Sequence, residues 1–255
     1  MLKIRKEDLL TGIFRTLEKV DDSIESAERL HDLHYYIPSS ALSTISYEES
    51  IKGIILCSKL LGREDVSENE WKDMKNHQFK LKHYQKKSFE KMKSGITSEK
   101  FDRLLKRYTV EWRLKPRASN KEQFVNQVKS DLEILPKYKV LRERCLYSDW
   151  NKYTNNWYNL KAYSALDLKS LSTYMMSMSS NEQRNFCFNI EFTVNHLRDT
   201  RIKIDDLPYP NYNEVRTKIR DFDSIKEIGD IQNKIIQNSK QIELGFRVFK
   251  KIVSN

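Results

Sequence analysis

Ser46-Tyr47-Glu48-Glu49-Ser50-Ile51-Lys52-Gly53 sets two acids and a lysine inside an otherwise apolar run. A second stretch, Asn76-His77-Gln78-Phe79-Lys80-Leu81, does the same with a histidine and a lysine. Side chains three or four apart stack on one helix face, so Glu49 sits over Lys52 and His77 over Lys80. The neighbours are apolar: Ile45, Ile51, Ile54, Ile55 and Leu56 around the first, Trp71, Met74, Phe79 and Leu81 around the second. Part of each polar face therefore points into packing. Together the two faces predict one partly buried polar cluster between consecutive helices.

The helical reading extends in both directions. Leu9, Leu10, Ile13, Leu17, Val20, Ile24, Ala27, Leu30 and Leu33 keep a three-to-four spacing, which predicts a first helix over 7–34. Pro38 disfavours helix just before it, so the second helix is expected from about Ser39 to Leu61, stopping at Gly62. A connection this short implies an antiparallel hairpin. Ser67-Glu68-Asn69-Glu70 fits the capping-box pattern and opens a third helix through about Met92. Further helices are expected over Ser98–Arg113 and over Lys121–Leu135, the latter closed by Pro136. From Lys137 to Trp157 the period fades into a polar, aromatic loop over Asn151–Asn159. Helices resume at Ala162–Ser177 and Asn181–Arg201. A linker with two prolines, Ile204–Asn213, leads to a last helical region, Glu214–Val253.

Composition agrees. The 255 residues contain only 6 Gly and 5 Pro, 32% are charged, and the apolar runs are long and periodic. The expected class is all-α, an antiparallel helical bundle with additional C-terminal helices. The expected division is a helical domain over 1–180 and an extension over 181–255 packed on it. Cys57, Cys145 and Cys187 are far apart and set in apolar sequence, as reduced core residues are, and not as a disulfide framework or zinc knuckle. No apolar stretch reaches the length of a membrane span, and no apolar run follows the basic N-terminus, so a soluble, cytoplasmic protein without a membrane partner is expected.

The formal net charge is +10, which favours a polyanionic partner such as RNA, DNA or an anionic membrane surface. Between Lys72 and Lys115 there are fourteen Lys/Arg against five Asp/Glu, interleaved with Phe79, Tyr84, Phe89, Phe101, Tyr108 and Trp112. Lys72, Lys75, Lys82, Lys86 and Lys87 are the candidate nucleic-acid contacts. The same run also reads as a solvated helix face. His31 and His34, with Asp32 between them, offer no third metal ligand at a recognisable spacing, so neither a metal nor another cofactor is expected.

Three motifs in order resemble the HEPN superfamily, and more narrowly the AbiV-type abortive-infection proteins of bacterial phage defence. They are Ala41 through Glu48-Glu49-Ser50-Ile51-Lys52-Gly53, then His77-Gln78-Phe79-Lys80-Leu81, then Leu146-Tyr147-Ser148-Asp149 followed by Trp157. The resemblance implies a HEPN-like helical core, a homodimer, and a defence effector released by a phage-encoded activator protein. It also implies an attack on RNA or translation as a metal-independent ribonuclease. The superfamily's Arg-x(4–6)-His motif has one literal match, Arg29 to His34, which a chain of this composition supplies by chance. Lys72 to His77 is a better positional analogue, with a lysine that cannot grip phosphate bidentately as arginine does. In such a site His77 would move protons, Lys80 and Lys52 would meet phosphate, and Glu49 would orient the cluster or carry the second proton. Two other readings stay open. The four residues also suit a buried ion-pair network that fixes helix register. A non-catalytic module would instead block translation by occupancy, gripping RNA, a ribosome or a phage protein.

Overall fold

A computed structural model describes residues 6–62, 137–147, 150–151, 156–157, 159–199 and 225–254, with positions 123 and 126. Its helices are α1 (Lys6–Asp32), α2 (Tyr36–Gly62), α3 (Lys137–Leu146), α4 (Ala165–Asp199) and α5 (Ile225–Ser254). A two-residue antiparallel ladder, β1 (Trp150–Asn151) with β2 (Asn156–Trp157), pairs Trp150 with Trp157, and a 3-10 turn follows at Leu160–Ala162. The fold is all-α. The helices expected over Ser67–Met92 and Ser98–Arg113, and most of Lys121–Leu135, lie outside the described residues.

The first two helices form the expected hairpin, with a tighter corner than Pro38 suggests. Pro38 falls in the first turn of α2, where an amide lacks an intrahelical partner anyway, so the ring costs nothing there. The chain turns in three residues. Tyr35 N–H donates to Leu30 O and His34 N–H to His31 O, with His34 at φ 66°: a helix ending of the Schellman type, in which a histidine holds the position glycine usually takes.

α2 is the axis of the molecule. From Ser39 to Cys57 it is buried almost all round, because α1, α3 and α4 cover different sides. Small hydroxyl residues make this possible. Ser40, Ser43 and Thr44 return their protons to the carbonyls of Tyr36, Ser39 and Ser40, so they bury no unsatisfied donor. Ser39 and Ser46 donate across to Ala27 O and Val20 O of α1. At Gly53 the ring of Phe186 lies so close that a Cβ would meet its Cζ at 2.0 Å.

Contact order sets the directions. Ser39 meets Ser172 and Gly53 meets Phe186, so α4 runs parallel to α2. His31 meets Ser172 and Asp21 meets Gln183, so α4 runs antiparallel to α1. α4 is one helix where two were expected. Met178, Ser179 and Ser180 offer neither Gly nor Pro to break it, and Met178 and Ser179 are buried. α3 was expected as irregular chain. Its inward face mixes Tyr138, Leu141 and Arg142, so the apolar period is hidden by a buried arginine. α5 closes the core: Phe249 packs on Tyr138 and Tyr174, whose hydroxyls are 2.9 Å apart, and Val248 and Ile252 are buried beside it.

Candidate functional site

Two polar clusters sit on α2, one at its middle and one at its N-terminal corner. In the middle, Glu48 points inward and is fully buried, with Arg142 of α3 donating to its Oε2 at 2.5 Å. Glu49, one residue on, lies at the edge of the core with 5% exposure. Lys52 Nζ donates to its Oε2 at 3.2 Å, and Lys19 Nζ of α1 stands 3.7 Å from the same oxygen. The Lys52 side chain is 26% exposed and that of Lys19 59%, so both ammonium groups reach solvent while the carboxylate does not.

The pairing of Glu49 with Lys52 is as the spacing predicts. His77 and Lys80, and the candidate nucleic-acid contacts Lys72, Lys75, Lys82, Lys86 and Lys87, lie outside the described residues. Two residues of this cluster escaped the sequence. Lys19 lies on the preceding helix, and Arg142 is 94 positions from Glu48, a separation no local pattern encodes. Glu48 was visible and also stands in register with Lys52, four positions on, but its partner proves to be Arg142 of α3.

The corner cluster is built from the ends of α1, α2 and α4. His31 Nδ1 is 2.8 Å from Ser172 Oγ, which is 2.8 Å from Ser39 Oγ, which donates to Ala27 O at 2.7 Å. Both serines are fully buried. Burial pulls the His31 imidazole below its ordinary value of 6.5; nearby Asp32 opposes the shift, and Lys169 and His34 add to it. Tyr36 joins the two histidines: its hydroxyl is 2.9 Å from His34 Nδ1, and its ring meets His31 edge-on at 5.2 Å between centroids. Arg29, the other end of the Arg29–His34 match, is paired with Glu25 on the exposed face of α1.

Neither Cys57 nor Cys145 is poised to react. Burial pushes Cys57 and Cys145 up to about 12, leaving them protonated at neutral pH. Among the described residues no three His, Cys, Asp or Glu side chains gather to hold a metal ion, and no described helix is long and apolar enough to cross a membrane.

The all-helical fold and a family-model match together make this domain one of the HEPN class. The chain belongs to the AbiV family: the HEPN_AbiV model, described as AbiV, matches residues 8–160. The match takes in α1, α2, α3 and the two-stranded ladder, while α4 and α5 lie beyond it. The family is one of abortive-infection defence proteins with a HEPN domain. No curated protein and no solved structure matches the chain.

Proposed function

We propose that this defence protein acts on RNA or on the translation machinery as a metal-independent HEPN-type ribonuclease, once a phage-encoded product activates it. The observation that carries the reading is the convergence of Lys52 and Lys19 on the edge-buried Glu49, in a chain of net charge +10. A carboxylate held between two half-solvated ammonium groups keeps both aimed at one spot, as stabilisation of a phosphorane requires. In this reading His77 serves as proton carrier and Lys80 acts on phosphate. The basic residues Lys72, Lys75, Lys82, Lys86 and Lys87 contact the RNA backbone in the same reading. Two protomers pair to form a shared cleft, and the protein works in the cytoplasm.

The test is the chemistry of RNA ends in phage-challenged cells. Wild-type protein is expected to leave new 2′,3′-cyclic phosphate ends, and Lys52→Ala, folded by circular dichroism, to leave at least tenfold fewer. Unchanged cleavage in Lys52→Ala removes this site.

One observation favours a second reading, block by occupancy. Lys52 and Lys19 are both already engaged by the one carboxylate of Glu49, an arrangement that suits holding a polyanion as well as cleaving it. In that case translation halts in a purified system with no new RNA ends, and the block weakens steeply with salt.

A further inference from the structure

The order of protons in the corner cluster can be read from its ends. A carbonyl oxygen only accepts, so the single proton of Ser39 Oγ goes to Ala27 O. Ser39 then has only a lone pair for Ser172, whose proton must point to Ser39. Ser172 is left as acceptor towards His31, so Nδ1 of His31 carries a proton and donates. With the imidazole kept neutral by burial, Nε2 bears a free lone pair at neutral pH. Among the described residues no group hydrogen-bonds to that nitrogen. Two buried serines from two helices, 133 positions apart, thus fix one imidazole as an outward acceptor.

What surrounds it is not random surface. Lys169, one turn before Ser172, lies close enough to depress the imidazole and has no acidic partner among the described residues. Tyr35 projects from the turn with 60% exposure. His34, whose Nδ1 is 2.9 Å from the Tyr36 hydroxyl, adds a second imidazole to the corner. It does so from a left-handed backbone that glycine would adopt more cheaply. Leu33 and Leu166 are the exposed apolar rim, at 65% and 58%. A hydrogen-bond acceptor, an ammonium group and a bare aromatic ring match the three parts of a ribonucleotide: hydroxyl, phosphate and base.

We propose that the α1–α2 corner is a second contact site for single-stranded RNA, distinct from the Glu49–Lys52 pair. In it His31 Nε2 accepts from a ribose 2′-hydroxyl, Lys169 pairs with the adjoining phosphate, and Tyr35 stacks on the base. Ser39 and Ser172 are positioning residues. The site rests on the reading of the protein as one that engages RNA, and it is what lets the protein tell RNA from DNA.

The test uses the full chain, a short single-stranded RNA and the DNA of the same sequence. Imidazole nitrogen NMR at neutral pH should show His31 with Nδ1 protonated and Nε2 bare, and RNA should shift the Nε2 signal where DNA does not. His31→Gln keeps a donor for Ser172, and is expected to lower the preference for RNA over DNA about fivefold, the worth of one hydrogen bond. Lys169→Ala weakens both ligands and reduces the slope of log affinity against log salt by about 0.7, one phosphate contact on a single strand. RNA that binds with the His31 signal unmoved overturns this site and leaves the proposed function standing. An Nε2-protonated His31 overturns it as well, as does a signal that moves only with self-association through Leu33, Tyr35 and Leu166. Growth arrest by a protein that binds no RNA overturns both readings.

Discussion

The middle of α2 and its N-terminal corner use the same device, polar groups sunk among helices, to opposite ends. In the middle, Glu48 is enclosed with Arg142, and Glu49 is held by Lys52 and Lys19. At the corner the groups are neutral, and their chain of protons ends on a ring whose far nitrogen is open. A buried charge must be matched or the fold suffers. A buried hydroxyl asks for less, so a network of hydroxyls can orient a group without consuming its chemistry. Closure marks the first cluster as part of the scaffold at Glu48. The open end marks the second as a place where something is received.

The sharpest way to break this contrast is to remove one partner of the enclosed pair. Arg142→Ala is expected to cost about 3–5 kcal/mol in urea unfolding, because it strands a carboxylate in the core. Glu48→Gln with Arg142→Met should recover most of that loss. If the single substitution costs as little as a surface change, the central cluster is not what fixes the register of α2 and α3.

A smaller effect of the opposite sign belongs to the corner. His34→Gly relieves a left-handed backbone, and after the greater entropy of glycine in the unfolded chain the expected gain is about 0.5–1 kcal/mol. Thermal unfolding measures it. A loss instead would mean that the contact with Tyr36 outweighs the strain.

The smallest effect is a slope. His31 has its proton affinity lowered in the folded chain, so below about pH 6.5 the unfolded state binds more protons and stability falls with acidification. Above that pH the contribution is fully present. Unfolding curves between pH 7.5 and 5.5, values set about the imidazole range, should show this decline in the wild type and less of it in His31→Gln.

Much of the fold was legible because it is local. The apolar spacing of α1, the short corner and the Glu49–Lys52 register are all written within a few residues of one another. What stayed hidden is written at a distance. Arg142 looks like a solvated arginine until Glu48 is seen opposite it, and α3 loses its helical signature for the same reason. His31 was weighed as a metal ligand because of His34 and Asp32. Its actual orienting partners are two serines, the residue type that says least in isolation. The supposed break before Asn181 came from a run of serines and methionines that favours no single structure. In the folded chain Met178 and Ser179 are buried, and the helix runs on.

The pairing of α2 with α3 through Glu48 and Arg142 has a consequence for how the protein is made. Glu48 leaves the ribosome 94 residues before Arg142, which at roughly 5–20 residues per second is a wait of about 5–20 s. During that interval the nascent hairpin carries an acid on the side meant for the interior. That charge keeps the surface wet and discourages premature burial against the wrong neighbour. The Glu48–Arg142 pair can close only after the intervening segment has been made, so the core around α2 is completed late in synthesis.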